Sequence, residues 1–105
     1  VLNLSGTFNF LSQPDLAPAI IVLTACLKQQ LVFHGLASLR LKESDRTSVL
    51  ARELAKFNVQ FREMDLGTWA IDARNFTWKP GIEIDPENDH RIAMAFSLLS
   101  MVGES

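Results

Sequence analysis

Apolar residues recur at helical spacing in three parts of this chain. In the middle one, Leu50, Leu54 and Phe57 fall on one face, which leaves Glu53 and its charged neighbours for solvent. The first is apolar nearly all round, so we expect a helix that is packed on both sides. The predicted helices span residues 14–28, 45–57 and 88–102.

Shorter apolar or alternating runs predict strands. Residues 59–64 and 68–72 are separated by a turn that contains Gly67, which predicts a hairpin. The other predicted strands lie at residues 7–10 and 82–84, and at residues 31–33 and 38–41, which count as one strand broken at His34-Gly35. The order of elements is β-α-β-α-β-β followed by β-α, which indicates an α/β (α+β) fold.

Length and charge limit the classes of function. A chain of 105 residues with 48% hydrophobic content supports one folded unit. A net charge of −2, with no run rich in Lys or Arg, argues against binding to nucleic acid or to an anionic membrane. The longest apolar run, residues 16–27, is too short for a bilayer span of about 20 residues, and no secretory signal is evident. We therefore expect a cytoplasmic protein, with Cys26 as a buried, inert thiol.

The layout predicts an incomplete structure. We assign residues 1–105 to a single partial domain, with one β-α-β-α-β-β unit at 1–73 and the β-α half of a second at 81–102. The chain begins without Met and ends soon after a helix, which we interpret as part of something longer. An uncovered sheet edge and helix face would then favour self-association.

Two arginines lie at positions in predicted helices that are unfavourable for a cation. Arg46 and Arg91 fall in the first turns of predicted helices, at the positive end of the helix dipole, where a cation is unfavourable by up to about 1 kcal/mol. A bound anion would account for both, because backbone N–H groups at a helix start point at such a ligand. If the preceding strands run the same way, these starts and that at Asp15 share one edge of the sheet.

Ordinary interpretations exist for most of these residues. Asp15, Asp45 and Asp89 suit helix caps or first-turn acids, and Glu43 beside Lys42 suits a solvated ion pair worth under about 1 kcal/mol.

One of the two histidines is a candidate for function, and the other is more typical of structure. His90 lies beside Arg91 at a helix start, where a neutral imidazole would suit hydrogen bonding or acid–base catalysis near pH 7. His34, in an apolar strand, is more typical of a structural residue. Two histidines and one cysteine at unrelated positions give no transition-metal signature.

Three segments resemble one enzyme family. Leu-Lys-Glu-Ser-Asp-Arg at 41–46 is similar to the Lys-Glu-Thr/Ser-Asp-Arg motif of 5-enolpyruvylshikimate-3-phosphate synthases. Asn-Asp-His-Arg-Ile-Ala-Met-Ala-Phe at 88–96 resembles their second signature, and Pro-Asp-Leu-Ala at 14–17 matches a third. The order of the segments makes the resemblance specific over most of the chain. It implies a domain built from inverse repeats of the β-α-β-α-β-β unit.

The resemblance also implies a reaction. The family transfers the enolpyruvyl group of phosphoenolpyruvate to the 5-hydroxyl of shikimate 3-phosphate and releases phosphate, in the pathway to aromatic amino acids. It uses no cofactor. The resemblance implies catalytic roles for Asp15, Glu43 and His90, and substrate binding by Ser38, Lys42, Arg46 and Arg91.

The implied roles are specific. Asp15 would be the acid or base near the accepting hydroxyl, and Glu43 would take part in proton transfer at the methylene carbon of phosphoenolpyruvate. Lys42 would contact shikimate 3-phosphate. Arg46 and Arg91 would bind phosphoenolpyruvate, with His90 hydrogen-bonding nearby.

Some features depart from the family pattern. Ser38 stands where the family often has Asn, and residues 85–87 differ from the usual sequence before the second signature. The family's first domain and a late catalytic Lys are not in these residues, so we predict that the chain alone is inactive. One alternative is a stand-alone anion-binding or interaction domain on the same scaffold. Another, an enolpyruvyl transferase acting on a nucleotide sugar, is disfavoured by the match of both signatures.

Overall fold

The computed structural model describes residues 7–10, 14–42 and 45–103. Its strands in these ranges are β1 (Thr7–Asn9), β2 (Gln30–His34), β3 (Gln60–Asp65) and β4 (Thr68–Asp72). Its α-helices there are α1 (Ala17–Cys26), α2 (Arg46–Ala55) and α3 (His90–Gly103), with short 3₁₀ helices at Pro14–Leu16 and Ala37–Leu41. The order of strands and α-helices is β-α-β-α-β-β and then α, so the fold is mixed, as predicted.

The strands form one sheet in the order β1-β2-β4-β3. β1 lies parallel to β2, so α1 is the crossover between them. β4 runs antiparallel to both β2 and β3. The β3–β4 pair is the predicted hairpin, with a register irregularity between Glu63 and Asp65.

One face of the sheet is covered by the helices. On β2, Leu31 and Phe33 are at most 2% exposed, whereas Val32 between them is less buried. This is the period-two burial of a sheet with one covered face. α1 packs against α3, and α2 packs against β3. The core therefore lies between the sheet and the helices α1 and α2, and continues between α1 and α3.

The apolar face of α2 is buried as the sequence predicted, but the side predicted to be exposed is not fully exposed. Leu50, Leu54 and Phe57 are buried, as predicted. Glu53 was expected to face solvent, and this was wrong: it is 0% exposed. Its carboxylate is buried against residues that precede α3, where two cations and a backbone N–H bind it.

The strand predicted at residues 38–41 is wrong, because these residues belong to the 3₁₀ helix Ala37–Leu41. In a strand, Leu39 and Leu41 would lie on the same face. In the structure Leu39 is fully buried and Leu41 is 87% exposed. The turn is closed by a hydrogen bond from the Leu39 N–H to the Leu36 carbonyl, 3.0 Å long.

The strand predicted at residues 82–84 is also wrong, since this segment has no regular secondary structure. Two side chains at the end of α2, those of Glu53 and the cap residue Lys56, bind backbone groups in and directly after this segment. Lys56 Nζ donates to the Glu83 carbonyl at 2.9 Å, and the Asp85 N–H donates to Glu53 Oε1 at 3.2 Å. These bonds replace a strand ladder, so the second predicted unit lacks its strand within the described residues.

Two further expectations concern α1 and the helices in general. Cys26 is partly buried in α1, and burial raises the pKa of its thiol, which favours the unreactive protonated form. Among the described residues, none of the helices has both the length and the apolar character needed to cross a membrane.

Candidate functional site

The candidate site is a pocket where the starts of the three α-helices meet. Its volume is about 260 Å³. The lining residues come from the 3₁₀ turn before α1, the approach to α2 and the first residues of α3: Asp15, Lys42, Arg46, Asp89, His90 and Arg91. The sequence analysis predicted that these helix starts lie together, and the pocket shows that they do, although the strand expected before α3 is absent from the described residues.

A cap fixes the first turn of α2. Asp45 Oδ1 accepts a hydrogen bond from the Ser48 N–H at 3.2 Å and one from the Thr47 hydroxyl at 2.8 Å. Burial would raise the pKa of the Asp45 carboxyl, but the hydrogen bonds from Thr47 and Ser48 outweigh it and lower that pKa. An ionised cap at this position places Arg46 at the first helical residue.

Asp89 caps α3 in the same way. Its Oδ1 accepts hydrogen bonds from the N–H groups of Arg91 and Ile92, at 3.0 and 3.4 Å. The cap leaves Oδ2 available to a partner outside the helix. It also places His90 and Arg91 in the first turn of α3, at the edge of the pocket.

Arg46 joins the three helix starts. It is 3% exposed, and its Nε donates to Asp89 Oδ2 at 2.8 Å. Its Nη1 donates to Asp15 Oδ1 at 3.1 Å. One guanidinium therefore ties the start of α2 to the start of α3 and to the turn before α1.

Asp15 lies between the two arginines. Its Oδ2 is 3.9 Å from Arg91 Nη2, an ion-pair distance without a hydrogen bond. About half of each of these two side chains is exposed, so both are accessible to a ligand. Asp15 and Arg91 form the open side of the pocket, and the Arg46–Asp89 pair forms its buried side.

The described lining residues carry a small positive charge. Lys42, Arg46 and Arg91 contribute three positive charges, and Asp15 and Asp89 contribute two negative ones. With a neutral His90 the sum is +1. The converging N-termini of the three helices add to the positive potential. The pocket can therefore bind an anion that contacts the cations from its open side.

The pocket brings together five of the seven site residues inferred from the sequence: Asp15, Lys42, Arg46, His90 and Arg91. Ser38 is an exposed residue of the 3₁₀ helix Ala37–Leu41 and is not part of the pocket lining. Glu43 lies outside the residues that the structure describes. The functional roles of all seven stay predictions.

The structure changes the argument for Arg46. We expected a bound anion to explain an arginine at a helix start, but two carboxylates of the protein already pair with it. The residue missed was Asp89, which we interpreted only as a cap. A helix-capping aspartate has a second oxygen, and that oxygen contacts any arginine the fold places nearby. A local sequence pattern does not predict that residues 46 and 89 are close in the folded chain.

Other sites on the described surface fit less well. A cavity of about 270 Å³ lies over the strands, where Gln30, Gln60, Arg62 and Asp72 line it. It contains one cation and no helix start, so it lacks the features that favour an anion. Within the described ranges, no group of three or more His, Cys, Asp or Glu side chains is arranged to hold a metal ion.

Comparison with known proteins assigns the family. The family described as EPSP synthase (3-phosphoshikimate 1-carboxyvinyltransferase) matches residues 6–105, nearly the whole chain. The chain belongs to the EPSP synthase family. The matched range contains every residue that lines the pocket.

Curated relatives of the chain have the same enzyme name as this family. The chain is 33% identical to the 3-phosphoshikimate 1-carboxyvinyltransferase of Nitrosopumilus maritimus over 91% of its own length and 22% of the relative's. It is 37% identical to that of Syntrophobacter fumaroxidans, over 84% of the chain and 20% of the relative. For Dehalococcoides mccartyi the identity is 39%, over 87% of the chain and 21% of the relative. The chain thus spans about a fifth of the length of the relatives it matches.

Proposed function

We propose that this chain supplies one wall of the substrate site of a 3-phosphoshikimate 1-carboxyvinyltransferase. That enzyme moves the enolpyruvyl group of phosphoenolpyruvate to the 5-hydroxyl of shikimate 3-phosphate and releases phosphate. The main support is that Lys42, Arg46 and Arg91 meet at the starts of α2 and α3, beside the turn that precedes α1, in a chain of the EPSP synthase family. Both substrates are anions, and cations held rigidly at helix N-termini stabilise such charge without rearranging.

Arg46 and Arg91 bind phosphoenolpyruvate in this proposal. Asp15 lies between them, 3.1 Å from Arg46 Nη1 and 3.9 Å from Arg91 Nη2. A carboxylate or phosphate that binds both arginines competes with Asp15 for them. Asp15 is then released to accept the proton of the attacking hydroxyl, the role of a general base.

The other site residues take the roles that the family implies. Lys42 contacts shikimate 3-phosphate, and His90, exposed at the start of α3, donates or accepts a hydrogen bond nearby. Glu43 would move the proton at the methylene carbon. Ser38 would contact substrate only if it were brought closer, because it does not line the pocket.

The remaining length of such an enzyme would supply the opposite wall. The described β-α-β-α-β-β order is compatible with one of the inverse repeats proposed for the family. Because catalysis requires both substrates to be held between two walls, the chain alone should bind anions without catalysing transfer. Release of phosphate from both substrates by the 105-residue chain would contradict this.

Binding can be tested by titrating the chain with phosphoenolpyruvate while its amide chemical shifts are recorded. We expect shifts confined to Asp15 and to residues 42–46 and 89–91. Arg91→Gln should weaken them, because the variant loses a cation that lines the pocket. The matched control is Arg74→Gln, since Arg74 is an exposed arginine that pairs with Asp72 away from the pocket.

Activity distinguishes the transferase from the alternative of a stand-alone anion-binding domain. In a polypeptide of the relatives' full length that carries this chain, Arg91→Gln should lower kcat/KM by about 10–100-fold, the usual effect of losing a hydrogen bond between charged groups. Equal losses in Arg91→Gln and Arg74→Gln would contradict the assigned site. Binding without any phosphate release by the unmodified full-length polypeptide would favour the anion-binding domain.

A further inference from the structure

The segment before α3 has an unusual backbone. Glu87 and Asn88 both have positive φ, 52° and 61°, directly before the cap residue Asp89. Residues with side chains rarely adopt this left-handed conformation, and two in succession need support from surrounding structure. These two residues set the direction in which the chain enters α3. They therefore influence where His90 and Arg91 lie.

Glu53 of α2 is at the centre of the contacts that hold this segment. Its side chain is 1% exposed. Oε2 accepts a hydrogen bond from Arg52 Nε at 2.6 Å, and Oε1 accepts from Lys56 Nζ at 2.6 Å and from the Asp85 N–H at 3.2 Å. The buried charge is thus paired with two cations and a backbone donor, as a buried carboxylate requires.

The two cations that bind Glu53 extend to the same segment. Arg52 Nη2 donates to the Asp85 carbonyl at 2.8 Å, and Arg52 Nη1 donates to the Glu87 carboxylate. Lys56 Nζ donates to the Glu83 carbonyl at 2.9 Å. Alternate residues of the segment are therefore held by one cluster at the C-terminal end of α2 and its cap, which we name the Glu53 cluster: Arg52, Glu53 and Lys56.

The spacing along α2 connects this cluster to the pocket. Arg46 and Glu53 are seven residues apart, about two helical turns, so they lie on the same side of α2. Arg46 holds Asp89, and Glu53 holds Asp85. The segment between them, with its two left-handed residues, is attached to one face of α2 at both ends.

We propose that Glu53 is a positioning residue for the anion pocket. Through Arg52 and Lys56 it holds the segment before α3 and thereby sets where Arg91 lies relative to Arg46. Glu53 is not part of the pocket lining, so its effect on binding is transmitted through the segment. The choice of phosphoenolpyruvate as the probe rests on the proposed function, whereas the role of Glu53 in holding the segment before α3 does not.

The test uses a polypeptide of the relatives' full length that carries this chain. Glu53→Gln keeps the shape of the side chain and removes its charge. We expect the KM for phosphoenolpyruvate to rise by about fivefold or more while kcat falls by less, because a displaced Arg91 weakens ground-state binding. The matched control is Asp72→Asn, which removes another arginine-paired carboxylate on β4, away from the pocket, and should change neither constant by more than about twofold.

A second measurement does not depend on activity. Amide hydrogen exchange at Asp89, Arg91 and Ile92 should become about tenfold faster in Glu53→Gln, with no change in β2 and β4, because only the local attachment is weakened. Unchanged exchange at these amides would overturn the proposal. So would a lowered melting temperature with KM and local exchange both unchanged, since this would show a purely structural role.

A milder variant covers the case in which Glu53→Gln fails to fold. Arg52→Gln acts on a side chain that is 45% exposed and removes the link to Glu87. It should produce smaller changes in the same KM and the same amides, and no change in either would overturn the proposal. If the unmodified polypeptide shows no transferase activity, the proposed function fails, and the exchange measurement still decides the role of Glu53.

Discussion

At the scale of single residues, the pocket depends on a buried ion pair whose two members cap or begin different helices. The side chains of Arg46 and Asp89 are 4% and 0% exposed. Moving both charges out of water is costly, and the pair is tolerated because additional hydrogen bonds reach Asp89 from α3 and link Arg46 to Asp15. Removing one member should therefore affect the fold as well as binding.

Arg46→Met should lower the free energy of unfolding by about 3 kcal/mol, because it takes a cation from a buried carboxylate. Urea unfolding monitored by circular dichroism would measure this. Arg74→Met is the matched control, since Arg74 also pairs with an aspartate, Asp72, but on the surface. The control should leave the free energy nearly unchanged. Equal losses in the two variants would contradict the assigned importance of burial.

At the scale of elements, two contacts outside the pocket position its parts. The β3–β4 turn packs against the 3₁₀ helix Ala37–Leu41, where the Leu36 N–H donates to the Gly67 carbonyl at 3.0 Å. This contact orients the chain just before Lys42. The Glu53 cluster performs the corresponding task for the segment before α3.

The close approach at Gly67 can be tested by adding a methyl group. Gly67 has a φ of +76°, and a Cβ there would lie 3.1 Å from the Ala37 nitrogen. Gly81 has a φ of +85° with nothing within 4 Å of such a Cβ. Gly81→Ala should therefore cost only backbone strain, about 1 kcal/mol, and Gly67→Ala about 2–4 kcal/mol, because it adds crowding. Equal losses on thermal unfolding would show that the contact is unimportant.

The Glu53 cluster also predicts a dependence of stability on pH. Burial would raise the pKa of the Glu53 carboxyl, but the hydrogen bonds from Lys56 and Arg52 outweigh it, so the pKa falls below its ordinary value of 4.5. A lowered folded-state pKa means that the stabilisation is present above pH 4.5 and disappears as the pH falls through the lowered value.

Glu53→Gln lacks this titration. The unmodified chain should be more stable than the variant by about 1.5–3 kcal/mol at pH 7, the contribution of a hydrogen bond to a charged group. Urea midpoints measured from pH 7 to pH 3 should show this difference shrinking below pH 4.5. A constant difference across the range would indicate that the Glu53 charge has no role in stability.

At the scale of the whole molecule, one helix face bears apolar side chains that nothing in the described residues covers. Leu16 and Met94 are 48% and 67% exposed and line a groove between α1 and α3, next to Asp15 and Arg91. The groove adjoins the anion pocket. The predicted self-association of the chain would cover it.

Sedimentation over a wide concentration range should show the apparent mass of the chain rising with concentration. Met94→Gln should weaken this association, because Met94 lines the groove. Leu66→Gln, a change at an exposed apolar residue in the β3–β4 turn, is the control. A monomer at every concentration would contradict the prediction, as would equal effects of the two substitutions.

Local chemistry made much of this fold predictable. The apolar stripe of α2, the caps at Asp45 and Asp89 and the β3–β4 hairpin each depend on residues close in sequence. The two strands predicted wrongly have different causes. Residues 38–41 form a local 3₁₀ turn instead, and the backbone at Glu83 and Asp85 binds side chains that are distant in sequence. A short apolar run contains no information on whether a neighbouring strand or a helix side chain will satisfy its backbone.

The sequence by itself determined the family, the order of the first six elements and the three helix starts that bear charge. Only the tertiary structure decided how those charges are paired. Arg46 contacts Asp15 and Asp89, which are 31 and 43 residues away, and Glu53 is buried against a segment 32 residues away. The spacing of apolar residues in the sequence predicts which face of a helix or strand is buried. The partners of a buried charge instead depend on which elements pack together in the core.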